Sequence, residues 1–353
     1  IEYIQPNFIY RALGYNTNDP YYDQQWGMIK IRVNEAWNIT KGSKSVIVAV
    51  IDTGVDYNHE DLKEAIWKNT REIPGNGSDD DNNGFVDDVM GWDFNENDND
   101  PMDVTGSVMS GENPGHGTHC AGNVGAVGNN GTGISGVAQN VTIMPLRFLG
   151  KDGSGTTAMA IKAIRYAIDN GANILSNSWG SQGSEGTDED KALKDMIDEC
   201  LKKDILFIAA AGNHSVNNDT SDKASYPASF PNDNIISVAA STQKDTLASF
   251  SCYGPKTVDL AAPGVAIMST VPGNEYQAEI IPGLASWDGT SMAAPHVAGV
   301  AALLKSLKPA LTYSQIKESI LGSVDKLSSL KGKMISSGRL NAEAALKYAA
   351  SHF

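Results

Sequence analysis

Three short blocks of the chain set a reactive side chain among residues small enough to let other backbone approach. Asp52 ends an apolar run and is followed by Thr53 and Gly54. His116 lies in Gly115-His116-Gly117-Thr118-His119-Cys120-Ala121-Gly122, at what reads as the start of a helix. Ser291 lies in Gly289-Thr290-Ser291-Met292-Ala293-Ala294-Pro295-His296-Val297-Ala298-Gly299, ahead of the apolar run 300–304. A serine at the N-terminus of a buried helix faces unpaired backbone N–H groups and the positive end of the helix dipole. Both would stabilise the oxyanion formed when its hydroxyl attacks a carbonyl carbon. Pro295 falls within the first turn or so, where a missing N–H costs least. Taken singly, an aspartate at a strand end says little, and the histidine block reads equally well as a glycine-rich helix packed closely on a sheet.

The elements needed to bring these groups together are legible as alternating patterns. The runs 46–51, 141–144, 174–176 and 205–209 are short, continuously apolar and bounded by polar or glycine-rich residues, as strands buried on both faces are. Between them lie helical patterns over 156–170, ending at Gly171, and over 188–203. The alternation predicts an α/β fold, a doubly wound parallel sheet with helices on both faces. Ligands then bind beyond the carboxyl ends of the strands. With no internal repeat and no Pro-, Ser- or Gly-rich linker, one catalytic domain over 10–353 is the expected count. Hydrophobic periodicity disappears over about 76–114, which predicts an acidic surface insertion.

Composition narrows the function. The formal charge of −15 over 353 residues repels phosphate backbones, so nucleic acid is not an expected partner. No run approaches the ~18 consecutive apolar residues of a membrane span. The N-terminus lacks the pattern of a signal peptide, so the chain reads as a processed form. Three cysteines, Cys120, Cys200 and Cys252, are too few for a disulfide framework and read as free, mostly buried thiols.

Together, and in the chain order Asp, His, Ser, the three blocks resemble the signature segments of the subtilisin-like serine proteases, or subtilases, nearest in detail to the thermitase and subtilisin group. The resemblance implies that His116 is the general base, that Asp52 orients it, and that Ser291 is the acylated nucleophile, with His119 a structural helix residue. A fourth block, Ala210-Ala211-Gly212-Asn213 after the run 205–209, implies Asn213 as a side-chain donor to the oxyanion. It further implies that a peptide lies as an added strand along Ser178-Trp179-Gly180, with Ala210, Ala211, Gly212 and Ser225 walling a roomy, apolar S1 pocket. Trp179 stands where the family usually has leucine, so it either reshapes the S1 and S4 pockets or turns inward as core. A secreted endopeptidase with a bulky or apolar P1 preference is the expected activity. Two other readings are a calcium-stabilised scaffold with this fold, which would show a disrupted triad, and a serine esterase, which would not need the 178–180 edge.

Calcium is expected at two places. In the segment 79–88, Asp79, Asp81 and Asn83 with the carbonyl of Phe85 follow the opening of an EF-hand loop. Met90 stands where that loop has its glutamate, so Asp87 or Asp88 would have to complete the shell. The resemblance to thermitase-type subtilases implies a second site, from Asp19, Asp61, Asn130 and Thr132 side chains and the carbonyls of Val127 and Ile134. Cys120, four residues after His116, reads as a buried packing residue. Residues 1–9 read either as the tail of an inhibitory propeptide or as an N-terminal arm. Protein or peptide substrates, the chain's own propeptide as inhibitor and a monomeric state complete the expectations. Two of six glycosylation sequons coincide with Asn130 and Asn213, which favours a bacterial host or a eukaryote with little N-glycosylation.

Overall fold

The structure is a computed structural model in which residues 17–106, 108–183 and 188–353 are described. The reading of residues 1–9 falls outside them. The large sheet is built from β1 (Ile47–Asp52), β2 (Trp92–Asp93), β3 (Thr142–Arg147), β4 (Ile174–Asn177), β5 (Leu206–Ala210), β6 (Ile235–Ser241), β7 (Leu260–Pro263), β8 (Asp325–Lys326) and β9 (Gly338–Arg339). Their order across the sheet is β8-β9-β7-β6-β5-β4-β1-β3-β2. Every neighbouring pair is parallel except the edge pair β8 and β9.

Unbroken apolar runs form these strands because both faces are covered. Along β1, Val48 and Val50 join one core while Ala49 and Ile51 join the other. Along β5, Leu206 and Ile208 face the first core and Phe207 and Ala209 the second. This is the two-residue alternation of a pleated strand. The first core is closed by α1 (His116–Gly125), α4 (Thr290–Leu307), α5 (Tyr313–Gly322) and α6 (Ala342–His352), the second by α2 (Thr157–Asp169) and α3 (Asp188–Lys202). The α2 helix starts where the pattern placed it: the Thr156 hydroxyl accepts from Met159 N, and Gly171 follows at φ +78°.

Two expectations change. The segment 76–114 is not only a surface insertion. Its Trp92–Asp93 pairs with Leu146–Arg147 as the edge strand, and Trp92, Phe94 and Asp103 are buried. Phe85 packs edge-on against Trp92, Phe94 and Tyr166, so aromatic side chains tie down a stretch whose periodicity was too irregular to reveal them. Pro295 sits beyond the first turn of α4, where its missing N–H does deprive a carbonyl, that of Ser291 four residues earlier.

Candidate active site

The carboxyl ends of the central strands share one edge: Asp52 lies in register with Arg147, Ile51 with Asn177, and Asn177 with Ala209. The chain leaving β1, β4 and β5 at that edge carries Asp52 at its start, then Ser178–Gly180, then Asn213. His116 opens α1 and approaches from above. Its Nδ1 lies 2.7 Å from Asp52 Oδ1, which also accepts from Thr53 N at 2.8 Å. The Asp52 side chain is 1% exposed and the His116 side chain 24%, so the ring bridges a buried anion and an open cleft. Burial pulls the His116 pKa down, and the adjoining Asp52 carboxylate, with Cys120, more than reverses it, holding the imidazole well above its ordinary value. His119 behaves oppositely. Buried, bonded through Nε2 to the Ile267 carbonyl at 2.8 Å and stacked on Trp287, it is pushed down to about 3 and stays neutral.

Ser291 is the second residue of α4. Its hydroxyl donates to the Ser178 carbonyl at 3.0 Å, so that proton must swing toward His116 before the ring can take it. Asn213 is fixed from behind, its Oδ1 accepting from Thr290 N at 2.9 Å and Thr290 Oγ1 at 3.0 Å. Its Nδ2 is thereby turned toward the serine. A β-carbon added to Gly289 would stand 3.5 Å from Asn213 Nδ2 and 3.4 Å from Ser291 N, so the two donors border one space. The Ser291 carbonyl, left without its helical donor by Pro295, accepts from the Ser178 hydroxyl at 2.9 Å and from the Cys120 thiol at 3.5 Å. Cys120 therefore has a packing and bonding role beneath the site, 3.9 Å from His116 Nδ1, with its thiol pushed up by burial.

A cleft of about 520 Å³ runs from His116 past Ser178, Trp179 and Gly180 to the 152–157 loop. Trp179 has neighbours on two sides. It lines this cleft, and its ring packs edge-on against Phe148, 5.0 Å away, at the margin of the second core. Ala210, Ala211, Gly212 and Ser225 lie outside the cleft lining. Gly212 adopts φ +103°, donates to Thr290 Oγ1 at 3.1 Å, and passes so close to Ser225 that an added β-carbon would meet its Oγ at 2.5 Å. A side chain there would close the space between the two segments.

Two oxygen-rich clusters accompany the site. Asp79 and Asp81 come together with Glu72, all three within 4.8 Å of one another. Glu72 precedes the motif and carries no local signal. Asn83 N donates to both Asp79 and Asp81, and the Asn83 side chain bonds Phe85 N and Asp88. Asp87 and Asp88 fall outside that group of three, although Asn69 Nδ2 donates to both Asp81 and Asp88. Asp87 accepts from Asn76 N and Gly77 N, and buried Asp88 from Asn69 and Tyr166. In the second cluster, Asp61 accepts from Asn130 Nδ2 at 2.7 Å and Ile134 N at 2.9 Å, while Val127 N donates to the Asp61 carbonyl. Asp19 accepts from Asn129 N and Asn130 N, and Thr132 N donates to Asn130 Oδ1. Burial pushes Asp61 up to about 6 against these hydrogen bonds. In the first cluster Asp81 already pairs with Arg71 Nη2 at 2.9 Å, whereas among the described residues no cation pairs with buried Asp19 or Asp61. Hard oxygen donors fit calcium in both places, most directly in the second.

Comparison with known proteins agrees with this geometry. The subtilase family model matches residues 43–338. The chain is 38% identical over 349 residues to the thermophilic serine proteinase of Bacillus sp. (strain AK1), covering 99% of this chain and 73% of that protein. It is 38% identical over 335 residues to thermitase of Thermoactinomyces vulgaris, covering 95% of this chain and 100% of that protein. A solved protease structure from Pseudoalteromonas arctica superposes with a TM-score of 0.73 at 27% identity, covering 94% of this chain and 99% of that one. No helix among the described residues is long and apolar enough to cross a membrane. The chain thus belongs to the subtilase family and is a subtilisin-like serine endopeptidase.

Proposed function

We propose that this endopeptidase works through an acyl-enzyme on Ser291. His116 Nε2 takes the Ser291 proton as Oγ attacks the scissile carbonyl carbon, and later returns it to the leaving amine. Asp52 fixes the tautomer through Nδ1 and stabilises the imidazolium. The carbonyl oxygen, as it becomes an oxyanion, enters the space bordered by Ser291 N–H and Asn213 Nδ2. Water then repeats the attack on the ester. The observation that carries this reading is the pairing of the 2.7 Å Asp52–His116 contact with two donors converging beside Ser291.

Substrate peptides extend along Ser178–Gly180, whose backbone supplies affinity regardless of sequence, giving broad specificity. Ala210, Ala211, Gly212 and Ser225 form an S1 pocket for a bulky or apolar P1 residue. Calcium ions held at Asp79, Asp81, Asn83, Phe85 and Glu72, and at Asp19, Asp61, Val127, Asn130, Thr132 and Ile134, crosslink loops and neutralise part of the −15 charge. A calcium-rich exterior suits such sites, and we infer secretion of a monomeric, single-domain enzyme kept inactive until its propeptide is removed. A chromogenic peptide with a large apolar P1 residue, assayed with and without calcium beside Ser291→Ala, tests the whole reading. Calcium-dependent cleavage lost in the variant is expected. Equal inactivity of both proteins after full propeptide removal sinks it.

A further inference from the structure

The helix that carries His116 has no cap from its own N-cap residue, Gly115. Its first-turn N–H groups are taken up by side chains from elsewhere in the chain. Asn113 Oδ1 accepts from Gly115 N at 2.9 Å and His116 N at 2.8 Å. Thr53 Oγ1 accepts from Gly117 N at 2.8 Å, and Asp103 Oδ2 accepts from Thr118 N at 2.9 Å and Thr118 Oγ1 at 2.7 Å. One carboxylate gathers these contacts. The other oxygen of Asp103 accepts from Thr53 Oγ1 at 2.9 Å and from Asn113 Nδ2 at 2.8 Å. Asp103, Asn113, Thr53 and Thr118 are all buried, and among the described residues no cation pairs with Asp103. Burying an unpaired carboxylate is costly unless donors surround it. Here four do, one from Thr53 and three from the stretch 113–118.

Thr53 is the residue after Asp52, and its own N–H donates to the Asp52 oxygen that holds His116. Thr118 is two residues after His116. Asp103 therefore joins the end of β1 to the first turn of α1 immediately outside the Asp52–His116 contact.

We propose that Asp103 is a positioning residue of the catalytic machinery: a buried carboxylate from the acidic insertion that clamps the Asp52 strand end to the His116 helix and sets the distance between the two side chains. The proposal rests on the assignment of Asp52, His116 and Ser291 above. All four of its bonds are accepted, so an amide cannot replace it. In Asp103→Asn the NH2 group must face either the Thr118 N–H or the Asn113 NH2, and the clamp opens on one side.

The test uses the mature full chain with a chromogenic peptide, active-site titration and thermal melting. Asp103→Asn should lower kcat by about 10²-fold, the scale of loss for a displacement of about 1 Å between reacting groups, with KM little changed. Thr53→Val, which removes one strut, should also lower kcat, and Thr53→Ser, which keeps the hydroxyl, should restore it. Asp98→Asn, which removes an exposed carboxylate of the same insertion, should leave kcat as in the parent. A parental kcat in Asp103→Asn, whatever its melting temperature, overturns the proposal. If that variant fails to fold, equal kcat in Thr53→Val and Thr53→Ser overturns it instead. Ser291→Ala separates the two claims: residual peptide cleavage there would remove the triad assignment itself, whereas an inactive Ser291→Ala beside a fully active Asp103→Asn removes only the clamp.

Discussion

Placing a methyl group on Gly289 gives a narrow probe of how this chain stabilises charge. The residue is extended, at φ 163°, so alanine adds no backbone strain. Its β-carbon would have no neighbour nearer than 3.4 Å, an ordinary van der Waals distance, and the free enzyme should fold and melt as the parent does. The two nearest atoms are, however, Ser291 N at 3.4 Å and Asn213 Nδ2 at 3.5 Å. An oxyanion must sit about 2.7–3.1 Å from such donors to be stabilised. A methyl carbon at that spot competes for the same space, so the oxygen must give up good geometry with one donor. Loss of one donor costs about 10²–10³ in kcat, or about 2.7–4 kcal/mol, the magnitude known from subtilisin. Gly289→Ala should therefore lower kcat by about 10²-fold with a smaller change in KM, because the ground-state carbonyl gains little from these donors. Steady-state hydrolysis of a peptide p-nitroanilide, normalised by active-site titration and read beside a thermal melt, measures it. Adding Asn213→Leu to Gly289→Ala should cost much less than the product of the two single losses. A variant with parental kcat and parental melting temperature would refute the shared oxyanion space.

Further expectations concern protonation, a carbonyl and the metal clusters. His116 must be neutral to accept the Ser291 proton, and the adjacent Asp52 carboxylate raises its proton affinity, so the acidic limb of kcat/KM against pH should fall above the ordinary histidine value of 6.5. Activity then rises with pH through that window, and a limb at or below 6.5 contradicts the reading. Ser178→Ala leaves the Ser291 carbonyl only the weak Cys120 thiol as donor and should cost about 1 kcal/mol of stability, the usual net worth of one hydrogen bond. Pro295→Ala supplies the missing helical N–H, so denaturant unfolding of the double variant should show a smaller loss than the single variants sum to. Chelation of calcium should lower the melting temperature by an amount that follows the ion concentration, worth about 2.7 kcal/mol at a hundredfold excess over Kd. An unchanged melt in chelator counts against both clusters.

Much of the catalytic chemistry was already present in one dimension because its elements are local. Continuous apolar runs such as 46–51 announce strands covered on both faces, and small residues around His116 and Ser291 announce close packing at helix starts. The triad order and the Ala210–Asn213 block take their roles from the resemblance of these local segments to the subtilase signatures. Other features arise only where distant segments meet. Glu72 joins Asp79 and Asp81 through a loop closure with no period, while Asp87 and Asp88, which look like ligands in sequence, turn to cap backbone and bond Tyr166. The irregular stretch 76–114 hides an edge strand and the buried Asp103 because aromatic anchors at Phe85, Trp92 and Phe94 obey no repeat. That the Ser291 carbonyl would find Ser178 and Cys120 in place of the Pro295 N–H is likewise invisible until β4, α1 and α4 are packed. Sequence by itself determined which groups can react and which segments form strands and helices, since both follow from side-chain chemistry and short-range periodicity. Tertiary structure alone decided which polar atoms satisfy one another, since a buried donor or acceptor pairs with whatever the packed layers bring within 3 Å, however far away it lies in the chain.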